Sequence, residues 1–173
     1  MYKETTYSSG AMDMVAGGGV DWRQKLTPQL EALGIEVQNP VLMTNKLLQV
    51  SDPNEARWIL RRLAEENQPE YCRVMEIIER QDIEAVERSN FIITYWVSHI
   101  PTYGTVGENW VAANRKIPIY CVCPAPSYVL PHWFRYDIYR SGGKKFNDFD
   151  ELMEFLKQRK NIVEQNAHKA TEI

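Results

Sequence analysis

The sequence predicts an α/β protein, with one doubly wound, mostly parallel sheet and helices on both of its faces. Three observations carry this expectation. Short apolar runs rich in β-branched and aromatic residues recur at 5–8, 35–37, 91–96 and 117–122. The segments between them carry apolar residues at helical spacing. Turn and stop signals such as Gly34, Asn39-Pro40 and Asp52-Pro53 separate the two kinds of segment. Strands that alternate with helices are the signature of a parallel sheet covered on both sides.

Taken in order, residues 5–8 are expected as the first strand, running into Gly10, Ala11 and Met12. The run Gly17-Gly18-Gly19 is entropically costly to hold in regular structure. A helix is expected from about Asp21, because Trp22, Leu26, Leu30 and Leu33 share one stripe and Gly34 ends it. Pro28 must lie near the first turns of that helix or bend it. Residues 35–37 form the second strand, while 41–52 carry no decisive pattern. Asp52-Pro53 opens a helix bearing Trp58, Leu60 and Leu63, and a further helix covers 69–88, with a break near Arg80 as the alternative. The strand at 91–96 is followed by a helix over 105–114 and a strand over 117–122, closed by Pro124 and Pro126. The aromatic-rich region 127–146 is expected to be irregular, with one strand near 136–139. Residues 148–160 form an amphipathic helix with Phe149, Leu152, Phe155 and Leu156 on one face. Residues 1–160 are expected as a single domain and 161–173 as a polar, frayed C-terminal tail.

Composition narrows the function. The 173 residues are 44% hydrophobic and 25% charged, with 20 Lys and Arg against 23 Asp and Glu. The resulting net charge of −3 argues against a nucleic acid polymer as partner, which needs a basic footprint, but leaves a single nucleotide open. No apolar run approaches the roughly 20 residues of a membrane helix, and the first residues lack a signal-peptide core, so no membrane partner and a cytoplasmic location are expected. Three cysteines make a poor disulfide framework. Cys121 and Cys123, alternating along an apolar strand, are expected as small core residues.

The segment from Phe91 to Glu108 is the most informative. It reads as a buried strand, a tight loop with Gly104 and Gly107, and a helix with a carboxylate, Glu108, in its first turn. Such loops lie at the carboxyl edge of the sheet, where open α/β proteins bind ligands. Two readings of Glu108 stand side by side. Thr105-x-x-Glu108 fits a capping box. Alternatively, the helix N-terminus keeps Glu108 ionised, ready to attack an electrophilic carbon. Asp82 interrupts an apolar four-residue stripe of Val74, Ile78 and Val86, and a carboxylate placed there needs a partner or a site to face. Tyr7, at the end of the first strand, is either a core aromatic or a neighbour of the Glu108 loop. Trp22 and Trp96 are aromatic surfaces that could stack on a base, or core residues. Asp13, Asp21 and Arg23 flank the glycine run, and His99, His132 and His168 are scattered without a nucleophile–base spacing.

In order along the chain, Tyr7-Ser8-Ser9-Gly10-Ala11-Met12, the glycine run leading to Trp22-Arg23, Asn39-Pro40, Asp82 with Ser89-Asn90, and Gly104-Thr105-x-x-Glu108 resemble the nucleoside 2-deoxyribosyltransferase family and its deoxynucleoside monophosphate N-glycosidase relatives. The resemblance covers roughly residues 5–123. It implies a flavodoxin-like sheet, a homo-oligomer with sites near subunit contacts, and neither metal nor organic cofactor. It implies that Glu108 is the nucleophile, that Asp82 stands beside the sugar, and that Tyr7 helps to hold the nucleophile. Gly10, Ala11, Met12, Trp22, Arg23, Thr102, Gly104 and Thr105 then fall at substrate-binding positions. A hydroxyl at Thr102, six residues before the glutamate, leans toward a nucleotide. The implied activity is cleavage or transfer of the N-glycosidic bond of a 2'-deoxyribonucleoside or its 5'-monophosphate. Asn90, where the family often carries an acid, keeps a second reading open, namely a non-catalytic nucleotide-binding or sensing module.

Overall fold

The computed structural model describes residues 3–12, 15–97, 100, 102–124 and 130–171. Among them the strands β1 (Glu4–Gly10), β2 (Ile35–Gln38), β3 (Phe91–Tyr95), β4 (Ile119–Val122) and β5 (Lys144–Phe146) form a sheet in the order β2-β1-β3-β4-β5. Every pairing is parallel, with Tyr7 opposite Ile92 and Ser9 opposite Thr94. This is the flavodoxin-like order, and its topological switch lies between β1 and β3. The helices are α1 (Val20–Ala32), α2 (Pro40–Leu48), α3 (Pro53–Glu66), α4 (Gln68–Arg88), α5 (Tyr103–Asn114), α6 (His132–Arg140) and α7 (Phe149–Thr171). No helix among the described residues is long and apolar enough to cross a membrane.

The period-two alternation of the strands divides the core. Tyr7, Ile92, Cys121 and Cys123 pack against Val86 of α4, Ala112 and Ala113 of α5, and Phe134 and Ile138 of α6. Phe91, Ile93, Tyr120 and Val122 pack on the opposite face against Leu26 and Leu30 of α1 and Leu152 and Leu156 of α7. Both strand cysteines are thus free and buried, as their spacing predicts.

The structure corrects several expectations. The unassigned segment 41–52 contains α2, with Pro40 at its first turn and the Asn39 side chain accepting from the Val41 amide at 3.0 Å. The region expected to be irregular, with a strand at 136–139, contains α6. Phe134, Asp137 and Ile138 are buried at helical spacing, while Trp133, Tyr136 and Tyr139 face solvent, so aromatic content does not mark a buried strand here. The last helix continues past 160 to Thr171, instead of ending there. Helix α4 is unbroken at Arg80. Pro28 lies within α1, and its missing amide leaves only the carbonyl of exposed Gln24 without an intrahelical bond.

The turn into β5 is the tightest approach of two backbones. A Cβ on Gly143 would lie 2.0 Å from the Ile119 carbonyl oxygen. Gly34, with φ of +79°, has open space around its Cα. Gly143→Ala is therefore expected to lose about 1–3 kcal/mol or more through overpacking. Gly34→Ala carries only the left-handed backbone penalty of about 1–2 kcal/mol. Thermal melting of the two variants side by side checks the order.

Candidate active site

Helix α5 begins at Tyr103, two residues earlier than the sequence suggests. Thr102 is its N-cap and makes no side-chain capping bond, so Thr105 and Glu108 lie inside the helix and no acid occupies the first turn. The capping-box reading of Glu108 is thereby overturned, and so is the expectation that a free helix N-terminus holds its charge. Its carboxylate turns instead toward β1. Tyr7 Oη donates to Glu108 Oε1 at 2.7 Å, and Ser9 Oγ donates to Glu108 Oε2. Tyr7 and Ser9 are two apart on one strand, so both hydroxyls emerge from the same face of the sheet.

Asp82 lies half-buried on α4 between buried Ile78 and Val86, within the electrostatic reach of Tyr7 and Glu108. Burial, and then the negative charge of Glu108, push its carboxyl up to about 7, with the Tyr7 hydroxyl and Arg23 opposing. Burial also raises the Glu108 carboxyl, against the pull of Ser9, Tyr7 and Arg23. Burial and the same two acids hold Tyr7 well above an ordinary phenol, so it remains a donor. The direct donors favour charge on Glu108, and the proximity of that charge favours a proton on Asp82.

Arg23 is fully buried on α1. Its Nε and Nη2 donate to the Ser8 carbonyl at 3.1 and 3.0 Å, Nη2 to the Gly10 carbonyl at 3.1 Å and Nη1 to the Gly19 carbonyl at 2.7 Å. Burial pulls it down to about 10, with Glu108, Tyr7 and Asp82 opposing, so it remains charged at neutrality. It stacks over Trp22 at 4.4 Å from the ring centre. Gly19 permits this arrangement: φ is +69°, and a Cβ there would lie 2.2 Å from the Ala11 carbonyl oxygen and 2.7 Å from Arg23 Nη1.

At the carboxyl ends of β1 and β3 a cleft of about 480 Å³ opens on the α1 and α7 side, bordered by Ala11, Gly19, Trp22, Tyr95, Val97 and Phe149. Trp22 stacks on Phe149 at 5.6 Å and 15°. The two carboxylates do not line this cleft. They belong to the opposite face of β1, so the strand end separates the aromatic walls from the acids.

Of the residues singled out in the sequence, the structure brings together Tyr7, Asp82 and Glu108, with Arg23 close enough to act on all three. Gly10, Ala11 and Trp22 stand on the cleft side, and the Met12 carbonyl accepts from Arg57 Nη1 at 3.2 Å. Thr105 is buried on the inner side of α5, and Gly104 is exposed in the first turn of that helix. Trp96 is buried against Phe134 at 4.3 Å between ring centres, and its indole nitrogen has no hydrogen-bond partner among the described residues. Asn90 is engaged in joining β1 to β3: its Oδ1 accepts from the Thr5 amide at 2.8 Å and its amide donates to the Thr5 carbonyl at 2.9 Å. Asp13 and His99 lie outside the described residues. Sequence reasoning missed Ser9, Thr94 and Asn109, which join Glu108 in one hydrogen-bond chain. The signals were a serine two residues beyond Tyr7, a threonine in an otherwise apolar strand, and an amide next to the acid.

No protein-family model matches the sequence, and no curated protein matches it. Solved structures do match. A conserved protein from Enterococcus faecalis V583 aligns with TM-score 0.65 and 15% identity over 91% of this chain and 99% of its own. A 2-deoxyribosyltransferase from Bacillus psychrosaccharolyticus aligns with TM-score 0.59 and 13% identity, over 86% and 90%. The CMP N-glycosidase of Clostridium botulinum aligns with TM-score 0.50 and 14% identity, over 89% and 99%. The chain thus shares its fold with an N-glycosidase and a 2-deoxyribosyltransferase, and at these identities the likeness is one of fold.

The raised Asp82 carboxyl has a consequence for stability. A carboxyl whose folded value of about 7 exceeds the unfolded 3.8 binds more protons in the folded state between those limits. Its contribution to stability is therefore greatest at low pH and declines as pH rises toward 7. Asp82→Asn removes the ionisation, so it is expected to melt a few degrees higher than the wild type at pH 8 and alike at pH 4. Differential scanning fluorimetry across pH reads the difference.

Proposed function

We propose that the protein cleaves or transfers the N-glycosidic bond of a 2'-deoxyribonucleoside or its 5'-monophosphate. The observation that carries the reading is the pair of acids around a buried hydroxyl: Glu108 held by Tyr7 and Ser9, with Asp82 raised toward neutrality beside it. An ionised carboxylate next to a protonated one is the equipment of glycoside chemistry. The N-glycosidase and the 2-deoxyribosyltransferase of the same fold support the class of bond.

In this reading Glu108 attacks the anomeric carbon as the bond to the base breaks through an oxocarbenium-like state. The bonding pair leaves with the base, and the sugar becomes a glycosyl ester of Glu108. Asp82 donates its proton to the departing base, which can take it on a ring nitrogen. Water or a second base then attacks the same carbon, the ester bond breaks with its electron pair returning to the Glu108 carboxylate, and Asp82 recovers a proton from the incoming nucleophile. Tyr7 remains a phenol throughout and holds Glu108 for in-line attack.

The test is a panel of deoxynucleosides and their 5'-monophosphates, with and without free bases, followed by chromatography of released or exchanged base. Glu108→Ala is expected to lose roughly 10³-fold or more of the turnover. A wild type that shifts its melting temperature with nucleotides but yields no product at high enzyme would instead indicate a binding module. The pH profile adds a separate check. Because Asp82 must carry a proton, kcat/KM is expected to fall as pH rises through about 7, and Asp82→Asn should be slow and lack that limb.

A further inference from the structure

Asn109 is fully buried, directly after Glu108 on α5. Its amide can be oriented in only one way. The Thr105 carbonyl, 2.6 Å away, only accepts, so it must face Nδ2. Oδ1 then faces Thr94 Oγ1, which donates to it at 2.8 Å. The second hydrogen on Nδ2 points at Ser9 Oγ, 3.3 Å away. Ser9 thus accepts from Asn109, and its own proton is directed at Glu108 Oε2. The parallel register brings these groups together: Ser9 and Thr94 are partners across β1 and β3, with α5 lying over both. A chain of one-way donors, Thr94 to Asn109 to Ser9, ends on the carboxylate.

We infer that Ser9 is a second fixed donor to the Glu108 carboxylate, and that Asn109, locked by Thr94 and Thr105, is the positioning residue that turns the Ser9 hydroxyl toward it. Tyr7 holds one carboxylate oxygen and Ser9 the other, so the side chain can neither rotate nor exchange partners. The groups acting on Glu108 are Tyr7 and Ser9 from β1, Asp82 from α4 and Arg23 from α1. Of these, Ser9 is the one whose donor direction is set by a third residue. A serine without Asn109 could turn its proton to another acceptor, and one oxygen of Glu108 would then be left unpaired.

The kinetic part of the test rests on the glycosidic-bond reading, and the titration part does not. The Glu108 carboxyl is followed by carbon NMR in uniformly labelled protein, assigned by its loss in Glu108→Gln. Removing a hydrogen bond to a charged group raises that carboxyl by about one to two pH units in Ser9→Ala. Asn109→Leu moves it in the same direction by less. In turnover, Ser9→Ala lowers kcat roughly ten- to a hundredfold while KM changes by less than about threefold, and the acid limb of the profile moves up with the titration. The double variant is no worse than Ser9→Ala, because Asn109 acts through Ser9. An unchanged Glu108 titration in folded Ser9→Ala, or additive losses in the double variant, overturns the inference. Should Ser9→Ala fail to fold, the titration of Asn109→Leu decides by the same sign. If the wild type releases no base from any substrate, the proposed function falls and the titration still decides the chain of donors.

Discussion

Two carboxylates drawn together around one buried phenol form the constraint on which the rest of this molecule depends. Neither Glu108 nor Asp82 is well solvated, and the charge of Glu108 raises the cost of ionising Asp82. Such a pair persists only if the surroundings supply donors and a positive charge within the low-dielectric interior. The carboxyl ends of β1 and β3 do so. β1 contributes Tyr7 and Ser9, β3 contributes Thr94, and the parallel register sets Ser9 opposite Thr94 under one helix. A slip of one residue in β1 would turn both hydroxyls to the other face and leave the acids unpaired.

Arg23 supplies the positive charge by an indirect route. It touches neither acid through a hydrogen bond given to it. Instead its guanidinium is fixed by the carbonyls of Ser8, Gly10 and Gly19. A cation held in this way adds a fixed field without offering a proton or a competing salt bridge to the reacting group. The arrangement requires the chain to pass very close to itself, because the Gly19 α-carbon sits against the Ala11 carbonyl. Gly19, the last of the glycine run, is thus a packing necessity for a buried arginine.

The period of the strands, the stop signals and the apolar stripes made most of the fold legible, since these report directly on which side of a residue is buried. Asp82 was legible for the same reason, as an acid on a stripe of Val74, Ile78 and Val86, all three of which are buried. What failed was local and had physical causes. In α6 Trp133, Tyr136 and Tyr139 face solvent, so hydrophobicity stopped reporting burial. At Glu108 a capping pattern coincided with a helix interior, because tertiary hydroxyls offered the carboxylate better partners than its own backbone. The polar chain through Asn109 was out of reach because its meaning lies in the register of two strands 85 residues apart, from Ser9 to Thr94.

The position of Glu108 within α5 also bears on how reactive such a carboxylate is. A helix N-terminus would stabilise the anion through several amides at once and so blunt its attack. Placed in the second turn, Glu108 meets two discrete hydroxyl donors, one on each oxygen, while burial works in the opposite sense. Desolvation would make the anion more eager for an electrophile, and the two hydroxyls oppose the upward pull of burial on its carboxyl. In the proposed reaction the carboxylate would become an ester and lose its charge, so charge-assisted bonds to Tyr7 and Ser9 would weaken to neutral ones. That loss would work against a deep, trapped intermediate, because the same two donors would regain strength once the ester is cleaved.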